Sequence, residues 1–320
     1  EESHGNDEQR GRKRKNSYAG NAKRTMNILD GKATSIALQE EIAAKVTKVI
    51  TAGGKRPHLA AILIGTDPAS RAYVGHKVKA CAKAGFESST IERGTEISQS
   101  ELLDIVRVLN NDKAVDGFIV QLPLPDHIDA TAVIEAIDPK KDVDGFHPVN
   151  VGKMSLGLPT FLPATPAGIM TLLKRHGIVT EGLHAVIIGR SDIVGNPMSS
   201  LLSRNSEPGN CTVTQCHSRT LDLKSHTLKA DILIAAIGKP HFITSDMVKE
   251  GAIVIDVGIN RISDETRKSG SRLTGDVDFD NVAQKCSWIT PVPGGVGPMT
   301  IASLLENTLQ ASLQNADGIS

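Results

Sequence analysis

Tyr73 and Lys77 stand four residues apart on a segment that reads as helix, so a phenol and an amine share one face. The helix follows an apolar run at residues 59–65, which has the length and continuity of a buried parallel strand. Gln121 closes the next strand, at residues 115–121. Open α/β sheets bind ligands beyond the carboxyl ends of their strands, so phenol, amine and amide reach one edge. A lysine with a lowered pKa serves as general acid and base, and an amide orients it without adding charge. Taken singly, Lys77 reads as a solvated helix lysine and Tyr73 as a packing aromatic. The convergence of two strand ends favours chemistry. Asp144, within Asp142-Val143-Asp144-Gly145, is either part of a turn or a carboxylate that accepts hydrogen bonds from a polar heterocycle. The Pro- and Gly-rich run at residues 290–298, including Gly294, Gly295 and Val296, suits close approach of backbone to a flat ligand, with a hinge as the alternative.

The second half carries a different signal. Residues 184–188 read as a buried strand, followed by Gly189-Arg190-Ser191 and then Val194-Gly195-Asn196-Pro197. Asn196 is expected to cap the ensuing helix, with Pro197 in its first position. A helix amino terminus offers unpaired N–H groups and a positive dipole end, which suit a phosphate. The spacing is a variant of the dinucleotide-binding turn, because Ser191 replaces its second glycine. The following strand ends in Cys216-His217-Ser218-Arg219. An acid near this point would bind a ribose 2′-hydroxyl. A hydroxyl at Ser218 and cations at Arg190 and Arg219 favour a 2′-phosphate instead, hence NADP.

The remaining chemistry is narrowed by what is missing. Lys and Arg number 36, as do Asp and Glu, so no global field favours nucleic acid or a membrane surface. Aromatics make up 3% of residues, too few for a base-stacking surface. No run of apolar residues is long enough to span a bilayer. No P-loop, H-E-x-x-H, zinc spacing or G-x-S-x-G is present, and no metal is expected. Cys81, Cys211, Cys216 and Cys286 form no C-x-x-C pair and read as small buried hydrophobes of a reducing, cytoplasmic protein.

These residues need a scaffold that brings strand ends together. Helical period and apolar runs alternate from Met26 onward. Helices are expected at 35–51, from Ser98 with Glu101 as a capping box, at 131–136, and from Thr165-Pro166 to Gly177. Strands are expected at 184–188, 212–216, 231–235 and 253–257, with residues 263–272 as a polar loop. This is a two-domain α/β pattern with a doubly wound, Rossmann-like second half. The expected division is a catalytic domain at 26–149, completed by a helix within 298–320 that packs back on it, and a nucleotide-binding domain at 150–297. Residues 1–25 are polar, mixed in charge and aperiodic, and read as a disordered tail or expression remnant.

Five segments taken together resemble the bifunctional methylenetetrahydrofolate dehydrogenase/cyclohydrolase family. They are Pro68-Ala69-Ser70-Arg71-Ala72-Tyr73-Val74-Gly75-His76-Lys77, Val120-Gln121-Leu122-Pro123-Leu124-Pro125, Lys141-Asp142-Val143-Asp144-Gly145-Phe146, the Gly189–Pro197 turn, and residues 291–300. The resemblance implies that Lys77 is catalytic, that Gln121 tunes it, that Tyr73 packs on the folate and that Asp144 holds the pterin. It implies that Gly294, Gly295 and Val296 border the folate pocket. Gly189, Arg190, Ser191 and Ile259 are implied as cofactor contacts, with Ser218 near the 2′-phosphate. It also implies cis peptides before Pro123 and Pro293, and a homodimer formed through the nucleotide-binding domains. Ala164 departs from the pattern, since many relatives have a cysteine there. The implied activity is NADP-dependent oxidation of 5,10-methylenetetrahydrofolate and hydrolysis of the methenyl product to 10-formyltetrahydrofolate. The alternatives are another two-domain NADP dehydrogenase, of shikimate or amino-acid type, and a non-enzymatic dinucleotide-sensing module.

Overall fold

A computed structural model describes residues 26–267 and 270–316 of the chain. The expectation of a disordered tail at 1–25 lies outside the described residues. In chain order the first elements are β1 (Asn27–Ile28), α1 (Gly31–Thr51), β2 (His58–Ile64), α2 (Pro68–Lys83), β3 (Glu87–Arg93), α3 (Gln99–Asn111), β4 (Gly117–Val120), α4 (Ala130–Glu135) and α5 (Pro148–Ser155). There follow α6 (Ala164–Arg175), β5 (His184–Ile188), α7 (Gly195–Ser203), β6 (Thr212–Cys216), α8 (Leu223–Thr227), β7 (Ile232–Ala235) and β8 (Ile253–Asp256). The last are β9 (Asn260–Ser263), β10 (Ser271–Thr274), α9 (Phe279–Val282), β11 (Trp288–Ile289) and α10 (Val296–Ala316).

Two parallel sheets form the frame. The smaller has the order β3-β2-β4, and the larger β1-β11-β8-β7-β5-β6. β2, β4, β7 and β8 are buried along their whole length, which is why they read as unbroken apolar runs. β3 (Glu-Ser-Ser-Thr-Ile-Glu-Arg) escapes such a reading because it is an edge strand with polar, partly exposed residues. β1 and β11 have two residues each, too few for any period. Residues 263–272 are not simply a polar loop: β9 and β10 form an antiparallel hairpin there, whose exposed residues are polar apart from Leu273.

Helix boundaries follow their caps. Asp30 and Asp67 accept from backbone N–H groups at the starts of α1 and α2, and Pro68 opens α2. Ser98 and Glu101 form the expected reciprocal capping box of α3. One expectation fails at α7. Its cap position is Val194, and Asn196 lies inside the first turn, where its side chain bonds Asp192 and Gln215. The Ser191 hydroxyl takes the capping role instead, accepting from the Val194 and Gly195 amides at 3.2 and 3.4 Å. The helix starts two residues earlier than the Asn-Pro pair suggests.

α10 ties the molecule together. It packs on α6, α1 and α2, and Leu304, Leu305 and Leu309 join a core that includes Leu38 and Ile42 of α1 and Ile187 and Ile234 of the larger sheet. Within this packing Asn307 is a buried exception. Its amide donates to the carbonyls of Val143 and Leu162 at 2.8 and 2.9 Å, anchoring the segment that carries Asp144. Asn307→Leu leaves both carbonyls without that donor, so unfolding free energy should fall by about 1–3 kcal/mol in urea denaturation. An unchanged midpoint would show that α10 holds that segment by packing alone.

Candidate active site

α2 explains the position of the amine. Its buried stripe is Ser70, Val74, Lys77, Ala80 and Cys81, so Lys77 occupies a place where helical period calls for an apolar residue. Only 5% of Lys77 is exposed. Its Nζ donates to Gln121 Oε1 at 3.2 Å and lies 4.8 Å from the centre of the Tyr73 ring. The Gln121 amide donates to the Leu122 carbonyl at 2.7 Å, which turns its oxygen toward the lysine. Leu122–Pro123 and Val292–Pro293 are cis, as the resemblance implies, and Glu207–Pro208 is cis as well.

Asp144 supplies the facing charge. Burial pushes its carboxyl up to about 6, against the opposing pull of the Lys77 ammonium. Burial also lowers the Lys77 pKa, while the Asp144 carboxylate works to raise it. The Tyr73 hydroxyl is pushed up by burial, although a hydrogen bond from Thr300 works in the other direction. Cys81, one turn beyond Lys77, is pushed up to about 12 by burial and stays a neutral thiol.

Asp142 and Asp144 divide two roles that the sequence leaves as alternatives for one motif. Asp142 is the turn former: its carboxylate accepts from the amides of Gly145, Phe146 and His147 and from the Asn150 side chain. Asp144 is then free of the turn and faces the amine. The Asp-x-x-Gly spacing was the available signal for Asp142. Thr300, 2.9 Å from the Thr165 hydroxyl, closes the 291–300 segment of the resemblance but carries no role in the sequence reading, because nothing local marks one.

Beside this group a cavity of about 510 Å³ is lined by Tyr73, His76, Ile259, Gly294, Gly295 and Val296, among others. The glycine loop is held close to α1. The Lys32 amide donates to the Gly294 carbonyl at 2.8 Å, and a Cβ added at Gly31 would lie 1.8 Å from the Gly295 oxygen. Ile259 is 56% exposed, an aliphatic side chain presented to the opening between the two sheets.

The other sequence candidates lie along the carboxyl edge of the larger sheet. Gly189 follows β5 with φ +128°, and a Cβ there would meet the Ala236 carbonyl oxygen at 2.3 Å. Its amide donates to the Cys216 carbonyl, so the β5 turn and the β6 end that leads to Ser218 are adjacent. Arg190, Ser191, Ser218 and Arg219 are exposed there. The structure therefore gathers Tyr73, Lys77, Gln121 and Asp144 in one cluster. Gly189, Arg190, Ser191 and Ser218 form a second group on a different sheet. Among the described residues no group of three or more His, Cys, Asp or Glu could hold a metal ion, and no helix is long and apolar enough to cross a membrane.

Two models of one protein family match the chain. Residues 29–144 match the family model described as the catalytic domain of tetrahydrofolate dehydrogenase/cyclohydrolase, and residues 163–316 match the NAD(P)-binding domain of the same family. The bifunctional protein FolD of Cytophaga hutchinsonii is 61% identical over 287 residues, covering 90% of this chain and 99% of that protein. Its counterpart from Porphyromonas gingivalis is 59% identical over 288 residues, covering 90% and 97%. The crystal structure of FolD from Campylobacter jejuni, 50% identical, aligns with a TM-score of 0.85 over 91% of this chain and 99% of that one. The Trypanosoma brucei enzyme, solved with NADP cofactor and an inhibitor, is 37% identical with a TM-score of 0.86 over 91% and 98%. On the strength of both domain matches and these relatives, the chain belongs to the tetrahydrofolate dehydrogenase/cyclohydrolase family.

Proposed function

We propose that this protein oxidises 5,10-methylenetetrahydrofolate to the 5,10-methenyl cation with NADP as acceptor, then hydrolyses that cation to 10-formyltetrahydrofolate. The observation that carries the reading is the buried Lys77 amine, held by Gln121 and facing Tyr73 and Asp144, in a chain of this family. The folate half corresponds to 26–149 completed by 298–320, and the nucleotide half to 150–297. A homodimer through the nucleotide halves and a cytoplasmic location complete the reading; Cys81, Cys211, Cys216 and Cys286 are all free and buried.

The residues fit an NADP molecule. Gly189 leaves no room for a side chain against Ala236, so backbone lines the turn, and the α7 amino terminus adjoins it. Gly189, Arg190, Ser191 and Ile259 would hold the cofactor, with Ser218 beside the 2′-phosphate. When bound, NADP accepts the hydride. The chain itself provides alignment across the cleft and proton chemistry.

In the hydrolytic step water adds to the methenyl carbon and gives a proton to the neutral Lys77 amine. The carbon–nitrogen bond then breaks as the added hydroxyl becomes a carbonyl and releases its proton to solvent, and Lys77 returns the first proton to the departing nitrogen. Burial makes the neutral amine accessible, Gln121 orients it, and Tyr73 offers a flat face to the folate. Asp144, ionised above about pH 6, accepts hydrogen bonds from the pterin.

Three measurements test this reading. Lys77→Met keeps the stem of the side chain and removes its proton chemistry. Methenyltetrahydrofolate hydrolysis should fall by about two to four orders of magnitude, and methylenetetrahydrofolate oxidation far less. Hydrolysis at the wild-type rate would remove Lys77 from the mechanism. The pH profile has a fixed sign: a lowered pKa frees the amine at a lower pH than an exposed lysine. The hydrolysis rate should therefore rise with pH and level off well below the ordinary lysine value of 10.5; a rise centred on that value contradicts a buried base. For the cofactor, Ser218→Asp sets a carboxylate against the 2′-phosphate, and KM for NADP should increase about tenfold or more. Wild-type turnover with NAD equal to that with NADP would refute the preference.

A further inference from the structure

Two buried carboxylates lie near the carboxyl edge of the larger sheet: Asp256, which lines the cavity beside Tyr73, and Asp276. Asp276 is wholly buried and Asp256 is 3% exposed. Among the described residues no cation pairs with either. Asp276 Oδ2 accepts from the Ile237 and Gly238 amides at 2.8 and 3.0 Å, and its Oδ1 accepts from the Lys239 amide at 2.8 Å and the Asn260 side chain at 2.9 Å. Asp256 in turn accepts from the amides of Gly258, Asp276 and Val277 at 3.0, 2.9 and 2.9 Å.

These bonds join the segments that follow two neighbouring strands of the larger sheet, β7 and β8. Residues 237–239 follow Ala236, whose carbonyl backs the Gly189 turn. Asn260 follows Ile259, which lines the cavity. One carboxylate thus grips the segment behind the phosphate turn and the segment that presents Ile259. A charged acceptor suits this task, because each bond to it is stronger than one to a neutral acceptor.

We propose that Asp276 is a positioning residue for the dinucleotide cofactor, fixing the spacing between the Gly189 turn and Ile259 without touching the ligand. The proposal rests on the reading of that cleft as an NADP site. Asp276→Asn retains size but turns an NH2 toward amides that need an acceptor. Asn260→Ala cuts only the link to the Ile259 segment, and its partly exposed position makes folding safe.

The experiment measures NADP Kd by cofactor fluorescence, hydrogen exchange of the 237–239 amides without cofactor, and methenyltetrahydrofolate hydrolysis. For Asp276→Asn, Kd should rise about tenfold, and the 237–239 amides should exchange faster. Hydrolysis, which uses the folate half, should stay within about twofold of wild type. Asn260→Ala should also raise Kd while leaving the 237–239 amides protected. Unchanged Kd in both variants overturns the proposal, as does hydrolysis that falls in step with NADP binding. If Asp276→Asn does not fold, Asn260→Ala decides by the same Kd criterion. Failure of the functional reading is seen separately, as a wild-type protein that binds no NADP.

Discussion

Taking an amine out of water is expensive unless polar groups surround it, and Lys77 sits on the buried stripe of its helix. Much of the catalytic half can be understood as meeting that demand. Gln121 comes from the end of β4, Asp144 from the loop after α4, and Tyr73 from one turn earlier on α2. Each partner is itself secured. Gln121 is locked by its bond to the Leu122 carbonyl, and the Asp144 loop is pinned by Asp142 from within and by Asn307 from α10. The result is an amine whose burial favours its neutral form while a nearby carboxylate limits the shift. That balance suits a group that must both take and release a proton.

The larger sheet meets a different demand. Parallel strands end together, and the crossing segments beyond them expose backbone amides away from water. Here buried aspartates answer them. Asp276 takes the amides after β7, Asp256 those beside β10, and Asp142 plays the same part next to the folate cluster. Burial pushes Asp256 up to about 6, because backbone donors only partly offset the loss of water. A carboxylate with several amide donors makes a rigid joint, and rigid joints at strand ends keep two ligands aligned across a cleft. Alignment is the main requirement of a hydride transfer whose redox chemistry belongs to the cofactor.

α10 couples the halves. Its apolar residues share one core with α1, α6 and the larger sheet, and its amino-terminal turn continues directly from the glycine loop beside Tyr73. Thr300 on the same helix adjoins Tyr73 and is 2.9 Å from the Thr165 hydroxyl of α6. A shift of α10 would therefore disturb the folate-facing ring and the glycine loop together.

Local pattern alone determined the parallel strands β2, β4, β5, β6, β7 and β8, the capping box at Ser98, the shared face of Tyr73 and Lys77, and the glycine turn at Gly189. Those features depend on residues near in sequence, through periodicity, cap chemistry and the space a missing side chain leaves. The motifs also carried the family resemblance, because chemistry restricts residue types at short spacing. Tertiary structure alone decided which polar group each site residue meets. It separated Asp142 as turn former from Asp144 as the charge facing Lys77, moved the α7 cap from Asn196 to Ser191, and paired β1 with β11. It also placed Asp276 against amides 37 to 39 residues away. Hydrogen bonds across such separations depend on how sheets and helices pack, and no local period records them.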